Sequence, residues 1–157
     1  MIYLTVLTLH NLMRWITLIA GLWAIYRAYR GWWGRRPWTP EDRHAGQWFA
    51  TALTIQFFIG GLFYCLPGSM AQMLIFDPGT VLRVPPLRFI VLEHAVQMVV
   101  ALGLAHAGVA LAPRATRHIG RHRRAALLFS LAFGITLIAI PWPFLDYGRP
   151  WLRLWGG

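Results

Sequence analysis

Seven polar or ionisable side chains interrupt long apolar runs in this sequence: His10 and Arg14 in the first run, Gln56 in the second, and Glu93, His94, Gln97 and His106 in the third. The fourth run carries only Ser130 and Thr136. An ionisable group within a bilayer costs about 2.5–3.5 kcal/mol on insertion scales, so those that persist face protein or a cofactor. Two imidazoles facing one another across a helical bundle can hold b-type haem, each giving iron one ring nitrogen and a protein acceptor the other N–H. His10 and His94 are the pair expected to do so. Asn11 or a backbone carbonyl is the expected partner of His10. Arg14 and Arg88 are expected to meet haem propionates or Glu93, and Met98, one turn from His94, offers an alternative axial ligand or core filler. Glu93 is the one carboxylate within a run and so the candidate for proton or quinone contact. His106 lies twelve residues beyond His94, about 18 Å along a helix, where it would suit a second haem but finds no histidine partner.

The elements that must position these residues follow from composition. The chain has 157 residues, 57% hydrophobic and 13% charged, with a mean hydropathy of +0.50, too apolar for a soluble domain of this length. A bilayer-spanning helix needs about 20 apolar residues. Residues 2–26, 48–66, 87–111 and 125–142 meet that requirement, predicting a single all-α domain over 1–157: an integral membrane four-helix bundle, up-down-up-down. The first run lacks a basic leader and a small-residue cleavage site, so it is expected to remain as a helix. Pro37 and Pro40, Pro67 and Gly68, Pro85 and Pro86, Pro113, and Pro141 mark expected helix ends.

All fifteen basic residues are arginine, against five acids, for a net charge of +10. Ten arginines fall in two connections, Arg27, Arg30, Arg35, Arg36 and Arg43 in one and Arg114, Arg117, Arg121, Arg123 and Arg124 in the other. The opposite side has Arg83, Arg88, Arg149 and Arg153. That asymmetry predicts a multi-pass protein of the inner (plasma) membrane with both termini outside, periplasmic or extracellular. It explains the basic charge through the bilayer and anionic headgroups, without nucleic acid. Tryptophans at 32, 33, 38 and 48 and at 142, 151 and 155 fit aromatic belts at the two interfaces.

Helices one and three run in the same direction, so depth can be counted from their outer ends. His10 is eight residues past Ile2 and His94 seven past Leu87, which places both imidazoles at similar depth in the outer half of the bilayer. At 100° per residue, Arg14, Thr17, Gly21, Ala24 and Ala28 share the His10 face, and Met98, Ala101, Ala105, Gly108 and Ala112 share the His94 face. Such stripes of small residues allow close helix approach or leave room for a flat cofactor. The connection from Pro67 to Pro86 contains an apolar run, Met70 to Phe76, that is expected to lie along the interface and cap what lies beneath. His44, His118 and His122 are expected in solvated, Arg-rich connections, with His118 and His122 only a weak zinc pair. Gln56 with Gly60 and Gly61 reads as close helix packing, and Arg14 with Glu93 as a structural ion pair. Cys65 is the single cysteine, which excludes an internal disulfide and c-type haem attachment.

Leu9-His10-Asn11-Leu12-Met13-Arg14-Trp15, the stretch Gln56 to Tyr64, Arg88 with Glu93-His94, and Ile140-Pro141-Trp142-Pro143-Phe144 together resemble a group of small four-helix bacterial membrane proteins of the cytochrome b-like type. The resemblance spans nearly the whole chain. Members often read His-Pro after the Glu, where this chain has Ala95 after His94, a change that removes a kink but not the ligand. The resemblance implies haem and a small electron-transfer or accessory membrane subunit, exchanging electrons with quinol or a redox partner.

The alternative is a cofactor-free structural or assembly subunit of a larger respiratory or photosynthetic complex, its aromatic tail from Trp151 to Trp155 lying on a partner. A chlorin or a transported metal at His10 or His94 is a weaker third reading. Transporter repeats are absent, as are the G-x-x-x-x-G-K-[ST], G-x-S-x-G and G-x-G-x-x-G motifs of nucleotide-binding proteins and hydrolases. An electron carrier or accessory subunit is therefore expected over a stand-alone catalyst.

Overall fold

The computed structural model describes residues 2–152, so Arg153 and Trp155 lie outside the described residues. Four helices are long and apolar enough to cross a membrane. They are α1 (Ile2–Trp33), α2 (Pro40–Cys65), a composite third helix over Pro85–Leu111, and α7 (His118–Ala139). The third consists of α5 (Pro85–Arg88), a π-helical turn (Phe89–Glu93) and α6 (His94–Leu111). The connection before it folds as a 3-10 turn (Met70–Gln72), α3 (Met73–Phe76) and α4 (Pro78–Arg83). Asp77 caps α4 by accepting from Thr80 N at 3.1 Å, and the Thr80 hydroxyl and amide hold its carboxyl below the usual carboxylate range.

The long helices are arranged in a square. α1 packs against α2 and α7, and α6 packs against the same two, which leaves α1 and α6 on a diagonal. Neighbours run antiparallel: Arg27 near the end of α1 meets Asp42 near the start of α2, while His10 meets Gln56. His94, at the start of α6, likewise meets Ala139, at the end of α7. Both expected stripes face inward, since Arg14, Thr17, Gly21, Ala24 and Ala28 on α1 and Met98, Ala101, Ala105, Gly108 and Ala112 on the third helix are all buried. The core is mostly alanine around Phe49, Leu53 and Phe129. Small residues bring the helices close enough for a few large rings to fill what remains.

Helix ends differ from the apolar runs in an instructive way. At 32 residues, α1 is about 48 Å long and outlasts a hydrocarbon layer of about 30 Å. Pro40 is not a stop: it is the first residue of α2, where lacking an N–H costs nothing. Thr39 caps that helix, its N–H and Oγ1 both donating to Asp42 Oδ2 at 2.9 and 3.0 Å. Arg27 donates from Nε and Nη2 to Asp42 Oδ1, each at 2.8 Å. The 7% exposed Asp42 carboxylate is thus fully engaged, and the α1–α2 hairpin is tied at its arginine-rich end. His44 accordingly lies within α2.

His118 and His122 also belong to a helix; His118 is exposed, as expected, whereas His122 is buried. His118 Nδ1 accepts from Trp38 N at 3.0 Å. His122 is 1% exposed, with Asp42 Oδ2 3.9 Å from its Nε2 and the Trp38 ring centroid 4.9 Å away. It owes its place to Gly31, where a Cβ would come within 2.1 Å of the imidazole. Gly31→Ala should therefore destabilise the protein by about 1–3 kcal/mol or more through overpacking, seen as a lower unfolding temperature in detergent. Unaltered stability would mean that His122 has room to move aside.

Candidate functional site

At the end of the bundle opposite the arginine-rich connections, the four helices enclose a cavity of about 430 Å³, within the range of small-molecule and cofactor sites. Its walls bring together residues from all four helices and both ends of the chain's irregular segments, including His10, Arg14, Gln56, His94, Met98 and Thr136. The connection expected to cap this end does so, with Ser69, Met70 and Ala71 in the lining.

His10 and His94 face one another across the bundle diagonal, with ring centroids 6.3 Å apart and planes at 75°. His94 Nδ1 is 2.7 Å from the carbonyl oxygen of Ala139. That carbonyl is exposed by the end of α7, and the contact fixes the ring's orientation and leaves Nε2 for a ligand. On the other side, Gln56 is the partner that sequence reading had assigned to Asn11 or a carbonyl. Its amide nitrogen donates to the His10 carbonyl at 3.0 Å and stands 3.2 Å from His10 Nε2. His10 Nδ1 and Gln56 Oε1 are buried without a hydrogen-bond partner among the described residues. Gly60 leaves room for the His10 ring, a Cβ there coming within 3.0 Å of Cε1, whereas Gly61 faces open space and makes no close packing.

A π-turn immediately precedes His94. Such turns insert an extra residue into a helix and recur at functional sites. Here the turn shifts the face of residues 89–93 relative to α6, and Tyr64 of α2 donates its hydroxyl to the Val91 carbonyl within it. Counting residues along a uniform helix from Leu87 does not capture that offset.

Of the two arginines expected to meet haem propionates or Glu93, Arg88 pairs with Glu93 and Arg14 does not. Arg88 Nε lies 2.7 Å from Glu93 Oε1, and both side chains are about two-fifths exposed (43% and 40%). Neither belongs to the cavity lining. Arg14 does not pair with Glu93: it is 8% exposed and donates from Nη2 to the carbonyls of Pro150 and Trp151. Met98 is buried in the alanine core and also lines the cavity. His106 is exposed on the bundle's outer side, its Nε2 2.9 Å from Thr54 Oγ1.

Residues 140–152 were not recognised from sequence as part of the site. α7 stops at Ala139, and the chain then folds back over the bundle in short turns: Trp142 Nε1 donates to Leu137 O at 2.8 Å, and Arg149 N to Pro141 O at 2.9 Å. Asn11 Nδ2 lies 3.4 Å from Pro150 O, and Trp15 Nε1 donates to Trp151 O at 3.1 Å. Trp151 stacks on Trp15 and touches Trp142, so it lies on its own bundle, half exposed, while residues 153–155 of the tail lie outside the described residues. Arg149 and Pro150 thereby become cavity lining. The only advance signal was the Ile140-Pro141 helix exit, which says where the helix stops but not where the chain goes.

Arg14→Gln should loosen this strap, because charge-assisted hydrogen bonds contribute about 1.5–3 kcal/mol each. Amide hydrogen exchange at Gly148 and Arg149 is expected to speed up by about tenfold or more. Unchanged exchange would show that the strap stands without Arg14.

No family model, curated protein or solved structure matches this chain, and the functional reading rests on the geometry above.

Proposed function

We propose that this is a small integral membrane electron carrier of the b type, with one haem held between His10 and His94. The observation that carries the reading is the diagonal pair of imidazoles at 6.3 Å centroid separation inside one cavity. Two imidazoles facing one another across a cavity could each give a ring nitrogen to a haem iron. Among the described residues no group of three or more His, Cys, Asp or Glu side chains converges on a metal position. A pair of imidazoles alone suits a metal whose other ligands come from a macrocycle. Bound haem supplies one-electron transfer between two iron oxidation states.

The chain's own residues have three tasks in this reading. Ala139 O orients His94, and the Gln56 amide packs against His10 at 3.2 Å from its Nε2. The walls from Phe63, Phe89, Val91 and Met98 keep water from the ring plane. Because Glu93 lies outside the lining and is paired with Arg88, no quinone step is assigned to it. The arginine asymmetry supports an orientation in which the cavity opens near the outer face of the plasma membrane.

A cofactor-free assembly subunit is favoured by one observation: Gln56 and Ala139 already give both histidines interhelical partners. Reduced-minus-oxidised absorbance of detergent-purified protein, produced with haem available, separates the two. A low-spin b-type signal lost in both His10→Ala and His94→Ala, with helicity retained, is expected. A folded but colourless wild type would overturn the haem reading and direct attention to co-purifying subunits.

A further inference from the structure

The cavity contains two guanidinium-bearing residues that the ion pairs of the fold leave unused. Arg14 is more than nine-tenths buried, and its Nε has no hydrogen-bond partner among the described residues. Arg149, exposed at the rim, lines the same cavity, and its Nη2 lies 3.9 Å from the Met70 sulfur. Arg14 donates to the carbonyl of Pro150, the residue next to Arg149, which sets both arginines at the strap side of the site. Among the described residues no carboxylate lies within ion-pair distance of either, since the ion pairs formed are Arg27–Asp42, Arg88–Glu93 and the His122–Asp42 contact. A buried cation without an anion, as Arg14 is, is costly; Arg149 stands exposed at the cavity's edge, and arginine forks match carboxylates in geometry as well as charge.

We infer that Arg14 and Arg149 form a carboxylate-binding subsite, and that the 140–152 strap is a clamp closing on the acidic edge of the flat ligand held by the two histidines. The inference rests on the haem reading and extends it. Arg14 reads the acid from the bundle side and anchors the strap through the carbonyls of Pro150 and Trp151. Arg149 reads it from the strap. Arg149 N bonded to Pro141 O, and Tyr147 tilted against Phe89 with ring centroids 4.2 Å apart, set the position of the clamp. Occupancy and strap closure are therefore linked: an acidic ligand stabilises the closed strap, and a ligand of the same shape without carboxylates does not.

The test compares protoporphyrin-IX haem with its dimethyl ester, which keeps the iron and the ring but lacks both acids. Purified wild type, Arg149→Gln and Arg14→Gln are titrated with each in detergent, following the low-spin absorbance and hydrogen exchange at Gly148 and Arg149. In wild type, haem is expected to bind about tenfold or more tightly than the ester, as for loss of one charge-assisted contact. Haem alone should slow exchange in the strap, and Arg149→Gln should erase most of the difference while leaving the ester's affinity unchanged. Equal wild-type affinities for the two, or an Arg149→Gln loss of the same size for both, would overturn the clamp while leaving the histidine site standing. If neither compound gives a two-imidazole spectrum in wild type, the haem reading fails and the clamp fails with it.

Discussion

Backbone polar groups have no water to bond in the hydrocarbon of a bilayer, and that constraint organises the cavity end of this protein. α7 stops at Ala139, leaving its last carbonyls without partners from the helix. Side chains take several of them: His94 lies against the Ala139 carbonyl and the Trp142 indole bonds that of Leu137. The returning strap has carbonyls of its own, and Arg14 and Trp15 take those of Pro150 and Trp151. The irregular backbone of the strap lies on protein and beside a cavity. The residues that satisfy it are largely those that line the site, so ending a helix early both opens the cavity and orients an imidazole within it.

The two ends of the bundle treat buried charge in opposite ways. At the arginine-rich end, Arg27 and Asp42 form a closed unit with Thr39, every contact between 2.8 and 3.2 Å. Both carboxylate oxygens of Asp42 are engaged within that unit. Its role is to hold the α1–α2 hairpin in register, and one partner removed would strand a buried charge. At the cavity end, Arg14 is satisfied only in part and by neutral carbonyls. Partial satisfaction is what separates a structural ionic lock from a group with bonding capacity to spare.

The helical architecture was legible because it depends on local quantities: apolar run length and the 100° periodicity that turned both small-residue stripes inward. Helix ends were less legible because apolarity marks hydrocarbon depth, whereas helices continue through arginine- and histidine-rich turns for as long as backbone bonding and tertiary packing favour them. His122 illustrates the point. Its neighbours in sequence are charged, yet Gly31 on another helix provides a slot that buries it. The pairing of His10 with His94 followed from depth and direction alone. The partners of those rings, Gln56 and the Ala139 carbonyl, did not, since they depend on which helices are adjacent and where α7 ends. Arg149 was unreadable for the same reason: thirteen residues of irregular chain have no periodicity from which to infer a destination.

The placement of Glu93 sharpens the electrostatic character of the site. Had this carboxylate faced inward, it would have neutralised Arg14 and left the cavity without net charge. The π-turn places it instead beside Arg88, at the partly exposed edge of the third helix. Arg14 and Arg149 therefore remain without an acidic partner among the described residues at the cavity. With Arg14 buried and Arg149 exposed at the rim, a cavity of that sign favours an anionic guest over a neutral one of equal shape, and disfavours a free cation. That asymmetry weighs against reading His10 and His94 as a station for a bare metal ion: the imidazoles would attract it, but the guanidiniums beside them would repel it. A metal that brings its own acidic macrocycle meets both sets of groups on favourable terms.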